Sequence, residues 1–153
     1  MLEKEFQTQF KRSFSLYCSN NDLIGHYRKI IDAGFINPYD CYTVTKYGFV
    51  AYELKVNRQK NTFNFKALFG YGKQYHEITN LKLVRATNHL SWVLIAHKGN
   101  SNTYKAYAIT PDNADKYYKQ GSVKLEDMEY VEIERTHNKF TRELLYLLDP
   151  LIK

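Results

Sequence analysis

Three side chains, Asp40, Glu53 and Lys55, have the types and spacing for metal-assisted hydrolysis of a phosphodiester. Glu53-Leu54-Lys55 lies in FVAYELKV, residues 49–56, a run of strand-forming residues. Side chains alternate along a strand, so Glu53 and Lys55 share one face while Tyr52, Leu54 and Val56 share the other. Asp40 opens DCYTVTK, residues 40–46, just after Asn37-Pro38-Tyr39. A turn at Tyr47-Gly48 joins the two runs into a hairpin, whose register carries Asp40 to within cross-strand reach of residues 53–55. Carboxylates that close repel each other unless a cation sits between them. Magnesium, a hard ion that prefers oxygen ligands, suits the pair. Such an ion acidifies a water and polarises a phosphate, and a neighbouring lysine can orient that water or balance charge on the phosphate oxygens.

The elements that must hold this hairpin can be read from periodicity. Residues 3–17 place Phe6, Phe10, Phe14 and Tyr17 at helical spacing, and Ser19-Asn20-Asn21-Asp22 ends that helix. Residues 26–32 read as a first strand, followed by breaks at Gly34 and Asn37-Pro38. A polar loop over 57–61 follows the hairpin. Residues 71–85 read as a helix, and the apolar run LSWVLIAH, 90–97, as a buried central strand. Another strand is expected over 103–109. A short helix then runs from Thr110-Pro111-Asp112 through Tyr118, with proline in its first turn. Residues 128–134 alternate like an edge strand. Phe140, Leu144, Leu145 and Leu148 place a last helix over 138–148, its apolar stripe packing on the sheet or forming a dimer contact. The expected order is αβββαβ with C-terminal additions: helices on a mixed sheet, an α/β or α+β fold.

The 153 residues fit one domain, 1–153, with one core. A net charge of +6 and a pI near 9.2 favour a polyanionic partner, of which nucleic acid is the commonest. No apolar run of 18 residues is present, so no membrane-spanning helix is expected. The charged start MLEKEFQTQFKRSF does not resemble a secretory signal, which points to the cytoplasm and to reduced Cys18 and Cys41. His26, His76, His89, His97 and His137 do not form a spaced metal set. No P-loop, GxGxxG or nucleophile elbow is present.

The stretch NPYDCYTVTKYGFVAYELKV resembles the core of the PD-(D/E)xK nuclease superfamily, whose pattern is an Asp, a short hairpin and then Glu-x-Lys. AYELKVNRQKNTFNFKALF is similar to the segment that follows this motif in RecU-like Holliday junction resolvases. The resemblance covers roughly residues 3–97. It implies a restriction-endonuclease-like core, bound Mg2+ with Mn2+ as a substitute, and Asp40, Glu53 and the Leu54 carbonyl as ligands. Lys55 would position the water and Gln74 would match the glutamine of the helix that follows. The archaeal-type resolvases carry a metal-binding glutamate on the first helix. Glu5, which lies deeper in that helix, is preferred here over Glu3. This sequence departs from the pattern in Pro38-Tyr39-Asp40, one residue longer than Pro-Asp. It also has Lys73 where RecU-like proteins often carry histidine, and no stalk between the hairpin strands.

Arg58, Lys60, Lys66 and Lys73 are candidates for DNA phosphates, with Arg58 and Lys60 in the loop just beyond the catalytic strand. Asp32 is either a further ligand or the cap of a turn. The expected function is a metal-dependent endodeoxyribonuclease acting on DNA, branched DNA included. A Holliday junction resolvase of phage or mobile-element origin, working as a homodimer, is the sharpest form. The alternatives are a nuclease fold that only binds DNA or a host protein, and a restriction-like nuclease, exonuclease or RNase.

Overall fold

The computed structural model describes residues 1–31, 37–70, 75–100, 104–133, 135–137, 144–146 and 148–153. Helix α1 (Glu3–Asn20) leads into β1 (His26–Lys29). The hairpin follows as β2 (Cys41–Thr45) and β3 (Gly48–Asn57). A short strand β4 (Thr62–Asn64) and one helical turn, α2 (Phe65–Leu68), precede α3 (Tyr75–Ala86). The chain continues through β5 (Leu90–His97), β6 (Lys105–Ile109), α4 (Pro111–Gln120), β7 (Ser122–Lys124) and β8 (Val131–Ile133). It finishes with β9 (Arg135–His137), β10 (Leu144–Tyr146) and the turn α5 (Asp149–Ile152).

Six strands form one mixed sheet in the order β1-β2-β3-β5-β6-β8. Only β3 and β5 run parallel, in register from Val50↔Leu90 to Asn57↔His97, and β4, α2 and α3 supply the crossover that a parallel pair requires. Helices flank the sheet. On one face Phe6, Phe10, Phe14 and Cys18 of α1 pack on Tyr52, Leu54 and Val56. On the other, Ile78 and Leu81 of α3 and Ala114 and Tyr117 of α4 cover Ala51, Val93 and Ile95. Because β5 is covered on both sides, its apolar run is continuous rather than alternating. Among the described residues no helix is long and apolar enough to cross a membrane. Cys18 and Cys41 are both buried and unbonded.

The order αβββαβ is followed by α1, β1, β2, β3, α3 and β5, with β4 and α2, not expected from the sequence, inserted between β3 and α3. The hairpin loop is Lys46-Tyr47, between paired Thr45 and Gly48, and Gly48 supplies the positive φ of 120° that starts β3. Cys18 completes the buried stripe of α1. Tyr17 sits at its margin, its hydroxyl donating to Asp149 at 2.5 Å. The expected helix over 138–148 is not what forms at its C-terminal part. Leu144–Tyr146 pair antiparallel with Arg135–His137 instead, while 138–143 lie outside the described residues. Tertiary contacts decide this segment. The Tyr146 ring meets Phe6 edge-on at 5.8 Å, its N–H donates to Ser13 Oγ at 3.3 Å and its hydroxyl to Gln9 Oε1 at 2.8 Å. Asp32, Lys73 and Gln74 also lie outside the described residues.

Candidate metal centre

Asp40 is fixed by its own backbone before its side chain does anything. Its N–H donates to Tyr52 O at 3.1 Å and its carbonyl accepts from Ile30 N at 2.9 Å, which extends the ladder one residue beyond β2. With Cys41 opposite Tyr52, this register sets Asp40 beside Glu53. The Asp40 carboxylate turns back over the sheet and accepts the Leu54 N–H through Oδ2 at 2.9 Å. Glu53 and Lys55 face away from α1, as alternation requires, and are almost fully buried, at 1% and 3% exposure.

Lys55 Nζ lies 3.1 Å from Glu53 Oε1 and 5.0 Å from the centre of the Phe69 ring. It also lies 3.6 Å from Glu77 Oε1, on the first turn of α3. Carboxylate oxygens of Asp40, Glu53 and Glu77 fall within 4.8 Å of one another. Three carboxylates against one ammonium leave a formal charge of two negatives in a nearly dry site. Burial pushes the Glu53 carboxyl well above its ordinary value, a proton shared with Glu77 and the charge of Asp40 push it further, and Lys55 only partly opposes them. Asp40 is raised too, chiefly by burial, against the Leu54 N–H and Lys55. Lys55 is held charged: burial disfavours its ammonium, but Glu53, Glu77 and Glu3 together outweigh that.

The donor set fits a hard divalent cation. All three side chains offer oxygen, and two of those oxygens, Glu53 Oε2 and Glu77 Oε1, are buried with no hydrogen-bond partner. A buried carboxylate oxygen left in that state is costly, and a doubly charged ion bound by oxygens would compensate it. Leu54 reaches the same edge with its backbone, since N–H and C=O of one strand residue leave on one side and its N–H already meets Asp40.

The acid on α1 is Glu3, not Glu5. The Glu5 carboxylate accepts the Leu2 N–H at 2.8 Å, closing the helix N-terminus. Residues two apart on a helix project some 200° from each other, so one of the pair must turn away. Glu3 keeps an accessible side chain, yet its carboxyl is raised by burial and by Asp40 and Glu77, with Lys55 and Arg58 opposing. Arg58 borders a depression of about 440 Å3 beside Glu3 and α2. Lys60 and Lys66 are exposed and outside the cluster, Lys60 on the far side of its loop and Lys66 on α2.

Glu77 is the member that sequence reasoning passed over. It stands in GKQYHEI, three residues after Gln74, where an acid in a first helical turn reads as ordinary dipole chemistry. A signal was present: Ile78 and Leu81 mark the packed face of α3, and Glu77 precedes Leu81 by one full turn. His76 braces this end of the helix, its Nε2–H donating to the Asn37 carbonyl at 3.1 Å, next to the segment that delivers Asp40. No protein-family model matches this chain, and no curated protein matches it either.

Proposed function

We propose that this chain is a metal-dependent endodeoxyribonuclease built on a restriction-endonuclease-like core. The observation that carries the reading is the buried Asp40–Glu53–Glu77 cluster, two of whose oxygens lack a hydrogen-bond partner, closed on one side by Lys55. The order αβββαβ and the resemblance to PD-(D/E)xK nucleases point the same way.

Asp40, Glu53 and Glu77 would hold Mg2+, or Mn2+ in its place, with Glu3 and the Leu54 carbonyl at the margin. The bound ion supplies Lewis acidity toward the phosphate and lowers the pKa of a water nearby. Lys55, kept charged by its acidic neighbours, orients the attacking water and balances the negative charge that grows on the phosphate oxygens. Arg58, beside Glu3, is placed to neutralise a flanking phosphate. Gln74 is assigned a supporting role by resemblance alone, and Lys66 and Lys73 are assigned contact with the DNA backbone on their charge. A four-way junction is the first substrate to try. A homodimer goes with that choice, since two symmetric cuts need two centres.

The test is cleavage of four-way junctions, linear duplex, single strands and RNA with magnesium, for the wild type and Lys55→Ala. The variant should lose about 100- to 1000-fold in cutting rate while binding DNA within about twofold of the wild type. A folded Lys55→Ala protein that cuts any of these substrates at the wild-type rate removes Lys55 from the chemistry. A wild type that cuts none of them with magnesium or manganese removes the nuclease.

A further inference from the structure

A second recess lies farther along the strands that carry the cluster. Asn57 follows Glu53 and Lys55 on the same face of β3, about 13 Å from Glu53 at ~3.3 Å per residue. There it pairs with His97 of β5. Beyond this pair opens a cleft of about 610 Å3, bordered by Lys60, Lys98, Lys105 and Lys124. Lys105 is committed to Glu132 at 3.2 Å. Among the described residues Lys60, Lys98 and Lys124 are exposed and enter no ion pair, and Glu126 is the one acid at the rim.

His97, which lines this cleft, is held in place by Asn57. Asn57 Oδ1 accepts the Gln59 N–H at 3.3 Å, which orients the amide. Its Nδ2 then donates one hydrogen to Thr62 O at 3.0 Å and the other to His97 Nδ1 at 3.1 Å. An imidazole that accepts at Nδ1 carries its hydrogen on Nε2. His97 is 7% exposed and lines the cleft, so its Nε2–H stands among the lysines that border it. Gly99, at φ +60°, preserves access: a Cβ there would stand 3.1 Å from His97 Nε2. Burial lowers the basicity of the imidazole, against a hydrogen bond with the Asn57 backbone that raises it.

We propose that this cleft seats a backbone phosphate of the strand running away from the Asp40–Glu53–Glu77 centre, with His97 Nε2–H donating to a phosphate oxygen and Lys60, Lys98 and Lys124 supplying charge. The assignment rests on the nuclease reading for the identity of the strand, and on the cleft alone for the anion. Lysines bind phosphate as point charges and track a backbone without reading sequence.

The test measures binding apart from cutting. Labelled single-stranded and duplex DNA are titrated by fluorescence anisotropy in EDTA, over a range of salt. Lys98→Glu combined with Lys124→Glu is compared with Arg28→Glu combined with Lys29→Glu on the edge strand β1, which changes net charge equally. Circular dichroism verifies folding of both. The cleft variant should bind at least about tenfold more weakly, and its salt slope should fall by about two, while the β1 variant loses much less. Equal losses in the two variants would overturn the assignment, as would orthophosphate competing as strongly as DNA. The cutting assay on the same wild-type protein separates the two ideas. Cleft-dependent binding without cutting leaves this site and removes the nuclease, whereas cutting with binding indifferent to the cleft removes only this site.

Discussion

Buried on α3 and 3.6 Å from Lys55, Glu77 brings a third carboxylate against Asp40 and Glu53. Glu77→Gln keeps the shape and removes the charge, so magnesium affinity by calorimetry should drop about tenfold or more. An unchanged affinity would mean that the ion, if bound, sits elsewhere. Glu3 and Glu5 give a matched comparison. Glu3→Ala should weaken magnesium binding, whereas Glu5→Ala should leave it alone and lower stability by about 0.5–1 kcal/mol through the lost helix cap. Protonation adds a further expectation. Asp40, Glu53 and Glu3 are all raised in the folded protein, so the fold holds their protons longer than the unfolded chain does. For these groups stability is greatest below the ordinary carboxylate range and is lost as pH climbs from there through the raised values. A divalent ion replaces those protons. Its gain in melting temperature should therefore be larger at about pH 8 than at about pH 5. A gain that is flat or falls with pH would disconnect the ion from these carboxyls.

The element that places Glu77 is held by a separate polar network. Asp115 of α4 accepts from the Tyr75 hydroxyl at 2.6 Å and from Lys82 Nζ at 2.8 Å, both on α3, and from Lys119 at 3.2 Å. These three donors outweigh the effect of burial and pull the Asp115 carboxyl below its ordinary value. The contribution has the opposite sign to that of the metal centre: present above the ordinary carboxylate range, lost as pH falls through the lowered value. Asp115→Ala should cost about 1–3 kcal/mol by denaturant titration and should also weaken magnesium binding, because α3 loses its tie to α4. Loss of stability with full magnesium affinity would show that the helix is positioned by its apolar face alone.

What could be read beforehand follows the same division. The hairpin, β5 and α1 declared themselves because local pattern and tertiary burial agree: Phe6, Phe10 and Phe14 recur at helical spacing, and Glu53 and Lys55 alternate with Tyr52, Leu54 and Val56. Leu144–Tyr146 misled because a short apolar run fits either period, and the contacts of Tyr146 with α1 decide it. Glu77 left only the faint signal of its place one turn before Leu81, and the Asn57–His97 pair left none, because the role of each depends on a partner tens of residues away.

At the scale of the whole molecule, a net charge of +6 coexists with a centre that is formally negative. The positive side chains near it, Arg58 on one flank of the 57–61 loop and Lys60 on the other, stand around the cluster rather than in it. A polyanion would be drawn to the surround and meet the acids only once a cation had masked them. DNA association should accordingly weaken steeply with salt but persist in EDTA, while cutting should need the ion. Binding that vanishes on chelation would place the ion, rather than the basic surround, at the origin of affinity.

The bond from Leu54 N–H to the Asp40 carboxylate has a consequence for how the chain reaches its native state. A hairpin zipped one step out of alignment would aim Glu53 and Lys55 at the phenylalanines of α1 and turn Tyr52 and Leu54 toward α3. No such misaligned ribbon could gather the carboxylates. Magnesium present during refolding should therefore act as a quality filter, raising the yield of correctly zipped molecules over mispaired ones.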